Sequence, residues 1–203
     1  MEYEDKYVKG VYNKISENFN DTRTYTWGWI GNMLNEIPKD SIICDLGCGN
    51  GRNMMNETHK FIGIDNCKEL LKICKSKGLD VLEGDMCNIP LNTDSVDSLI
   101  CIAAFHHLST EERRVKALLE IKRVVKSGGK IVISVWSKEQ PDKTRRKFDK
   151  YGDTIVKWDT RGKIYDRYYY IFRIEEINEL FKKVDLNVME HKWDCGNEIF
   201  ILS

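Results

Sequence analysis

One stretch constrains the fold more than any other: Asp45-Leu46-Gly47-Cys48-Gly49-Asn50-Gly51, which follows a short β-rich run, Ser41 to Asp45, and stands where a helix should open. Glycines at alternate positions permit positive φ and let the main chain approach a ligand closely. A strand ending in such a turn is the first unit of a doubly wound α/β fold, whose ligand lies at the carboxyl ends of the strands. Spacing then selects the ligand. Dinucleotide binders use G-x-G-x-x-G to seat a pyrophosphate on a helix N-terminus. Here the pattern is G-x-G-x-G with an acid just before it. Asp45 would repel a pyrophosphate and suits a cationic amino-acid group. S-adenosylmethionine offers an ammonium and a sulfonium and no phosphate, so its amino-acid end is expected at Asp45, Gly47 and Gly49.

The rest of the chain supplies the strands and helices such a loop needs. Tyr7, Val8, Val11, Ile15 and Phe19 have helical spacing, and Trp27, Ile30, Met33, Leu34 and Ile37 suggest a second helix ended by Pro38. Phe61 to Asp65 reads as the second strand, Cys67 to Lys77 as a helix and Val81 to Gly84 as the third strand. Val96 to Ala103 reads as the fourth strand, continuously apolar from Leu99 onward, as a central parallel strand should be. An amphipathic helix, Glu111 to Lys126, closes at Gly128 and Gly129 before a fifth strand, Lys130 to Trp136. Arg173 to Lys183 reads as a helix, and Leu186–His191 with Ile199–Leu202 as a closing hairpin. The expected fold is therefore Rossmann-like α/β: a mostly parallel seven-stranded sheet with a C-terminal antiparallel hairpin and helices on both faces. One domain is expected over 1–203: N-terminal helices in 1–38, a cofactor core in 41–136, an irregular insertion in 137–165, and a last helix and strands in 166–203.

Three further positions complete the cofactor reading. Asp65, ending the second strand, can accept hydrogen bonds from both ribose hydroxyls. Asp85, in Gly84-Asp85-Met86, can accept from the adenine amino group, with Met86 packed on the ring. Ile102 and Ala103, at the end of the fourth strand, would form the floor under the sulfonium. Each acid alone would be an ordinary helix cap; taken in order on successive strands, they point to one site.

Composition sets limits. No apolar run approaches the roughly 20 residues of a membrane helix, so no membrane contact is expected. The seven cysteines are scattered with no Cys-x-x-Cys pair, which suits reduced, buried thiols and no metal site. The N-terminal ten residues lack a signal sequence's apolar core, so the expected location is cytoplasmic, with nuclear access as the alternative. Lysines and arginines equal aspartates and glutamates at 32 each, so any basic surface for a nucleic acid must be local.

The fourth strand runs into Phe105-His106-His107-Leu108-Ser109-Thr110-Glu111-Glu112-Arg113-Arg114. From position alone, either histidine could meet an acceptor or simply pack. This segment resembles the eukaryotic tRNA methyltransferase 9 family, which includes the methyltransferase domain of AlkB homologue 8. Val11-Tyr12-Asn13-Lys14-Ile15 with Asp21-Thr22-Arg23, Trp136 with Glu139-Gln140, and Arg167-Tyr168-Tyr169 with Phe172-Arg173 are similar to further stretches of that family. The resemblance implies a class I enzyme that methyl-esterifies 5-carboxymethyluridine at the wobble position in a tRNA anticodon loop. It implies Arg23, His106 and Arg167 as the groups that meet the acceptor. It also implies a heterodimer with a small zinc-binding activator, tRNA methyltransferase subunit 112, paired along a sheet edge near Val81, Leu82 and Leu91.

Such an acceptor is a carboxylate, ionised at neutral pH, which needs no general base. Arginine, with its planar fork, is the side chain to hold it. Lys143, Arg145, Arg146, Lys147 and Lys150 could touch phosphates or form a solvated loop, and Trp158, Tyr165, Tyr168 and Tyr169 could stack on a splayed base, with at least two expected in the core. A small-molecule methyltransferase, acting without RNA or partner, and a non-catalytic RNA- or protein-binding module are the competing readings; the intact Asp45, Asp65 and Asp85 set speaks against the second.

Overall fold

The computed structural model describes residues 2–144, 147–160 and 162–203. Arg145 and Arg146, of the expected basic cluster, lie outside the described residues.

Strands β1 (Ile42–Leu46), β2 (Lys60–Asp65), β3 (Val81–Glu83), β4 (Val96–Ile102) and β5 (Val125–Trp136) are parallel, in the order β3-β2-β1-β4-β5. Strands β8 (Val188–Asp194) and β9 (Asn197–Leu202) extend the sheet as an antiparallel hairpin, with β9 against β5. This is the seven-stranded sheet expected from the sequence. The order in which successive strands are added reverses between β1 and β4, so the crevice opens beyond Leu46 and Ile102.

The sheet is covered on both faces because side chains alternate across it. Ile43, Ile100, Val132, Ile199 and Ile201 face helix α3 (Gly28–Asn35), packing on Ile30, Met33 and Leu34. Cys44, Leu99, Cys101, Ile131 and Ile133 face the other way, onto α5 (Glu111–Val124) and α6 (Ile174–Lys183) through Leu118, Ile121, Leu180 and Phe181. Helix α5 starts where Thr110 accepts from the Arg113 N–H, an N-cap followed by Glu111 and Glu112 in the first turn. Helix α4 (Lys68–Ser76) follows β2 and closes Leu71 and Cys74 over Cys48 and Met54. Six of the seven cysteines are buried and all are free, as expected.

The N-terminal spacing yields one helical rod: α1 (Glu2–Glu4), a π-helical turn over Asp5–Lys9, and α2 (Gly10–Thr22). Val11 and Ile15 bury one face against Trp158.

One expectation is revised in part. The second half of the segment foreseen as irregular, 137–165, enters a β-hairpin: β6 (Gly152–Thr160) pairs with β7 (Lys163–Ile171) as a separate two-stranded sheet, turning at Gly162 with φ +79°. Along β6, Asp153, Ile155, Lys157 and Asp159 are exposed while Thr154, Val156 and Trp158 turn inward. The period of two is present, but its inward face is half polar and its outward face carries an isoleucine, so hydrophobicity alone does not reveal it. Register sets Val156 opposite Arg167 and Trp158 opposite Tyr165. Arg167 and Tyr169, two apart on β7, therefore share a face with Trp158.

Candidate functional site

The carboxyl ends of β1, β2, β3 and β4, the N-terminal helix and the β6–β7 hairpin enclose one cavity. The glycine loop forms its base. Gly47 has φ +76°, and a Cβ there would stand 2.4 Å from the Ala104 Cβ and 3.0 Å from the Met86 Cε. Only glycine fits. Across the loop, Ala103 has φ +53°, a left-handed backbone at a non-glycine position directly after β4. Its N–H donates to the Ser134 carbonyl at 3.0 Å and lies 3.1 Å from Ser134 Oγ. Neighbouring strand β5 thus holds this turn open at the floor of the cavity.

The three acids differ in their surroundings. Asp45 is wholly buried beneath the loop, and neither carboxylate oxygen has a hydrogen-bond partner among the described residues. Burial, helped by the charge of Asp65, pushes its carboxyl up to about 7, against the pull of the Arg52 guanidinium and of the neighbouring Asn53 side chain. Unlike Asp65 and Asp85, Asp45 does not itself line the cavity; its carboxyl lies under the glycine loop, where its charge complements the ammonium of S-adenosylmethionine from below. Asp65 lines the cavity and accepts from the Gly49 N–H at 2.9 Å and the Cys67 N–H at 2.8 Å. Burial raises its carboxyl although these main-chain donors oppose it. Each of its oxygens keeps a lone pair for a ribose hydroxyl.

Asp85 also lines the cavity but is less free than expected. Its Oδ1 accepts from the Cys87 N–H at 2.7 Å, and both oxygens accept from Arg113 Nη2, at 3.1 and 2.9 Å. Burial works to raise this carboxyl, but the Cys87 N–H and the Arg113 guanidinium outweigh it and hold it below the usual range. One lone pair on Oδ2 remains for an adenine amino group. Met86 and Ile102 lie on the wall where the sequence places them. These groups fit S-adenosylmethionine from ammonium to adenine.

Opposite the loop stands the second wall. Arg167 is 4% exposed, yet no salt bridge among the described residues involves it and its Nε has no partner. Its guanidinium carbon lies 4.5 Å from the centre of the Trp158 ring, and that of Arg23 lies 5.0 Å from the same ring. Desolvation and the charge of Arg167 lower the affinity of Arg23 for its proton. The sequence reading brings these two cations together, and the structure places both on the cavity wall. Trp136 stacks on Tyr169 at 4.0 Å and 9° between planes, forming a flat apolar side.

The two histidines divide differently from the expectation. His106 does not line the cavity. It is wholly buried, and its Nδ1 accepts from the Trp136 N–H at 3.0 Å, so it acts as an anchor for the end of β5. His107 lines the cavity instead. Trp158, Tyr168 and Tyr169 are buried, so at least two of the four aromatics belong to the core, as expected.

Two wall residues carried no assigned role in the sequence reading. Tyr12 shares a helix face with Val8 and Phe19, and all three line the cavity; the spacing of four and seven is the signal. Arg52 follows Gly51 directly; its guanidinium lies 4.3 Å from the Trp27 ring centre, and its Nη1 donates to the Tyr25 carbonyl at 3.3 Å. Among the described residues no group of histidines, cysteines and acids could hold a metal, and no helix is long and apolar enough to cross a membrane.

Comparisons with known proteins agree with this geometry. Residues 44–133 match the methyltransferase domain family. A Schizosaccharomyces pombe protein named tRNA (carboxymethyluridine(34)-5-O)-methyltransferase is 34% identical over 220 residues, covering 97% of this chain and 96% of that protein. The chain belongs to that tRNA methyltransferase family. An Arabidopsis thaliana member of the same name is 46% identical over 142 residues, and there the match spans 70% of this chain but 35% of the longer protein. The fold recurs in an S-adenosylmethionine-dependent methyltransferase from Clostridium acetobutylicum, with TM-score 0.70 and 15% identity over 95% of this chain and 98% of that one. It recurs in a complex between the Haloferax volcanii Trm112 methyltransferase activator and a putative methyltransferase, with TM-score 0.66 and 16% identity over 97% of each chain. This family member is an S-adenosylmethionine-dependent methyltransferase.

Proposed function

We infer that this chain transfers a methyl group to the carboxylate of 5-carboxymethyluridine at the wobble position of tRNA, giving the methyl ester. The observation that carries the reading is Arg167: a buried guanidinium with an unpartnered Nε, in no salt bridge among the described residues, on the wall facing the cofactor loop. A buried charge without a partner is costly unless a ligand supplies one. The missing partner is an anion that arrives with the substrate.

S-adenosylmethionine, when bound, supplies a methyl group on a sulfonium whose departure leaves a neutral thioether. The protein's task is placement. Arg167 holds the acceptor carboxylate on this wall, and Arg23, the more exposed of the two cations beside Trp158, helps draw the anion in. Trp136 and Tyr169 give the uracil ring a flat contact and keep water from the reacting oxygen. The carboxylate is already ionised, so no side chain need remove a proton. His107 stays neutral, with its imidazole pushed down to about 3 by desolvation and the Arg167 charge against its bond to the Tyr168 carbonyl, and so adds no competing cation.

The test uses purified chain co-expressed with a Trm112-type activator, labelled S-adenosylmethionine and tRNA lacking the wobble methyl ester, with nucleosides read by mass spectrometry. The expected product is 5-methoxycarbonylmethyluridine, absent with Arg167→Ala. Donor binding without methylation of any tRNA would overturn the reading and move the search to small-molecule acceptors.

The same reading includes a heterodimer with a small zinc-binding activator of the Trm112 kind. Strand β3 is a sheet edge of three residues, with Leu82 38% exposed and Val81 buried. Of the three residues expected in an apolar patch, Leu82 is the exposed one; Leu91 packs on the core. Co-expression with such an activator, followed by size-exclusion chromatography with wild type and Leu82→Lys, tests it: a complex with both chains equally would discard this edge. A cytoplasmic location completes the proposal, and imaging of a tagged chain checks it.

A further inference from the structure

Tyr12 stands where the N-terminal helix meets the acceptor wall. Its hydroxyl lies 3.1 Å from His107 Nε2, 3.1 Å from the Tyr169 hydroxyl and 3.3 Å from Arg167 Nη1. Three contacts share one phenolic proton, so their directions are fixed by what each neighbour can donate. His107 Nδ1 is 2.7 Å from the main-chain carbonyl of Tyr168. A carbonyl only accepts, so Nδ1 carries the hydrogen. The imidazole is neutral, which leaves Nε2 bare, and Tyr12 must donate to it. With that proton committed, the Tyr12 oxygen accepts from Tyr169 and from Arg167. Tyr169 in turn accepts Arg167 Nη1 at 2.6 Å. The result is a one-way chain that begins at the guanidinium and ends on a backbone carbonyl.

We propose that Tyr12 is a positioning residue for the acceptor: with Tyr169 it holds Nη1 of the Arg167 fork and so sets how the guanidinium meets the incoming carboxylate. The proposal rests on the reading of the acceptor as a carboxylate-bearing tRNA nucleotide. Arginine has several rotatable bonds, and the contact with the Trp158 ring, 4.5 Å from the guanidinium carbon, does not by itself settle how the fork is turned. The chain makes that choice. It also makes the choice depend on α2 being docked, since Tyr12 comes from the same helix as Phe19 on the cofactor wall.

Tyr12→Phe keeps the ring packed on Phe19 and His107 and removes only the hydroxyl. A misplacement of about 1 Å can lower a rate by roughly 100-fold, so kcat for tRNA methylation is expected to fall between about 10- and 100-fold, with the dissociation constant for S-adenosylmethionine unchanged within about twofold. Arg167→Lys removes the fork. If Tyr12 acts through that fork, Tyr12→Phe then changes kcat by less than about twofold in the Arg167→Lys background. An equal loss in both backgrounds, or a loss explained by weaker donor binding, overturns the proposal. A second readout needs no substrate. In nitrogen-15 spectra of the ligand-free protein, His107 is expected as the Nδ1–H tautomer, with an Nε2 resonance that moves in Tyr12→Phe. An Nε2–H tautomer reverses the chain and overturns the proposal, even if tRNA proves not to be the acceptor. Wild type that methylates no tRNA while showing the expected tautomer defeats the function reading alone.

Discussion

Glu4 accepts from Arg113 Nε through both carboxylate oxygens, at 3.1 and 2.9 Å, and so ties the first turn of the chain to α5 across the adenine end of the cavity. The Ser109 N–H and hydroxyl donate to the same Oε1, at 2.6 and 2.8 Å. Arg113 passes the link on to Asp85, so one guanidinium joins the N-terminal helix to a cofactor-facing acid.

Breaking that link should loosen the helix and the donor together. Hydrogen bonds to charged groups contribute about 1.5–3 kcal/mol each when partly buried. Glu4→Ala is expected to lower stability by about 2 kcal/mol, a fall in Tm of roughly 4–8 °C at this chain length. S-adenosylmethionine should also dissociate several-fold faster. Stopped-flow release and thermal melts check the pair; faster release with an unchanged Tm would mean that Glu4 acts on the donor alone.

Gly47 offers a sharper test of the loop. An added Cβ meets Ala104 at 2.4 Å on a backbone with φ +76°. Gly47→Ala is therefore expected to lower stability by about 1–3 kcal/mol and to abolish donor binding by calorimetry. Full binding in a folded Gly47→Ala variant would show that the loop can move aside.

These two positions mark the range of what the sequence discloses. Gly47 is legible because the demand on it is local: a turn after a strand, with glycine spacing that a few residues state by themselves. The parallel sheet is legible for the same reason, since Leu99 to Ile102 and Ile131 to Ile133 are short apolar runs within strand-like segments. The Glu4–Arg113 pair is not, because it joins residues 109 apart that look like two solvated charges. Hairpin β6–β7 is missed because its inward face holds threonine and arginine beside tryptophan. His106 and His107 are seen as a pair, but their division of labour depends on which way a short 3-10 turn points each ring.

Asp45 gives the pH dependence. Its folded carboxyl is raised to about 7, against roughly 3.9 in an unfolded chain. Between these values the folded chain holds a proton that the unfolded chain has released, so stability from this group is present on the acid side and is lost as pH rises through about 7. Asp45→Asn removes the effect. In the absence of donor, its Tm advantage over wild type should be small near pH 5 and grow toward pH 8, by an amount equivalent to a few kcal/mol. Donor binding should move the other way, weakening by about tenfold at pH 8 as the variant loses its charge complement to the ammonium. Parallel Tm curves for the two proteins from pH 5 to 8 would mean that Asp45 titrates as an ordinary carboxylate.

Arg23 and Arg167 flank one tryptophan but differ in depth, and depth separates their expected effects. Arg167 is buried and fixed by Tyr169, so it is set to hold the acceptor where reaction occurs. Arg23 is half-exposed, donates to the carbonyl of its neighbour Thr22, and stands nearer the rim. Removing an interaction made equally with bound substrate and transition state raises KM; removing one that tightens during reaction lowers kcat. Arg23→Ala is therefore expected to raise KM for tRNA by roughly 3- to 10-fold with kcat nearly unchanged. The increase should shrink at high salt, because an exposed charge is screened. Arg167→Ala should lower kcat by about 100-fold or more with little salt dependence. Steady-state kinetics at two ionic strengths distinguishes the roles. A kcat loss at Arg23 as large as at Arg167 would mean that both guanidiniums grip the carboxylate during transfer.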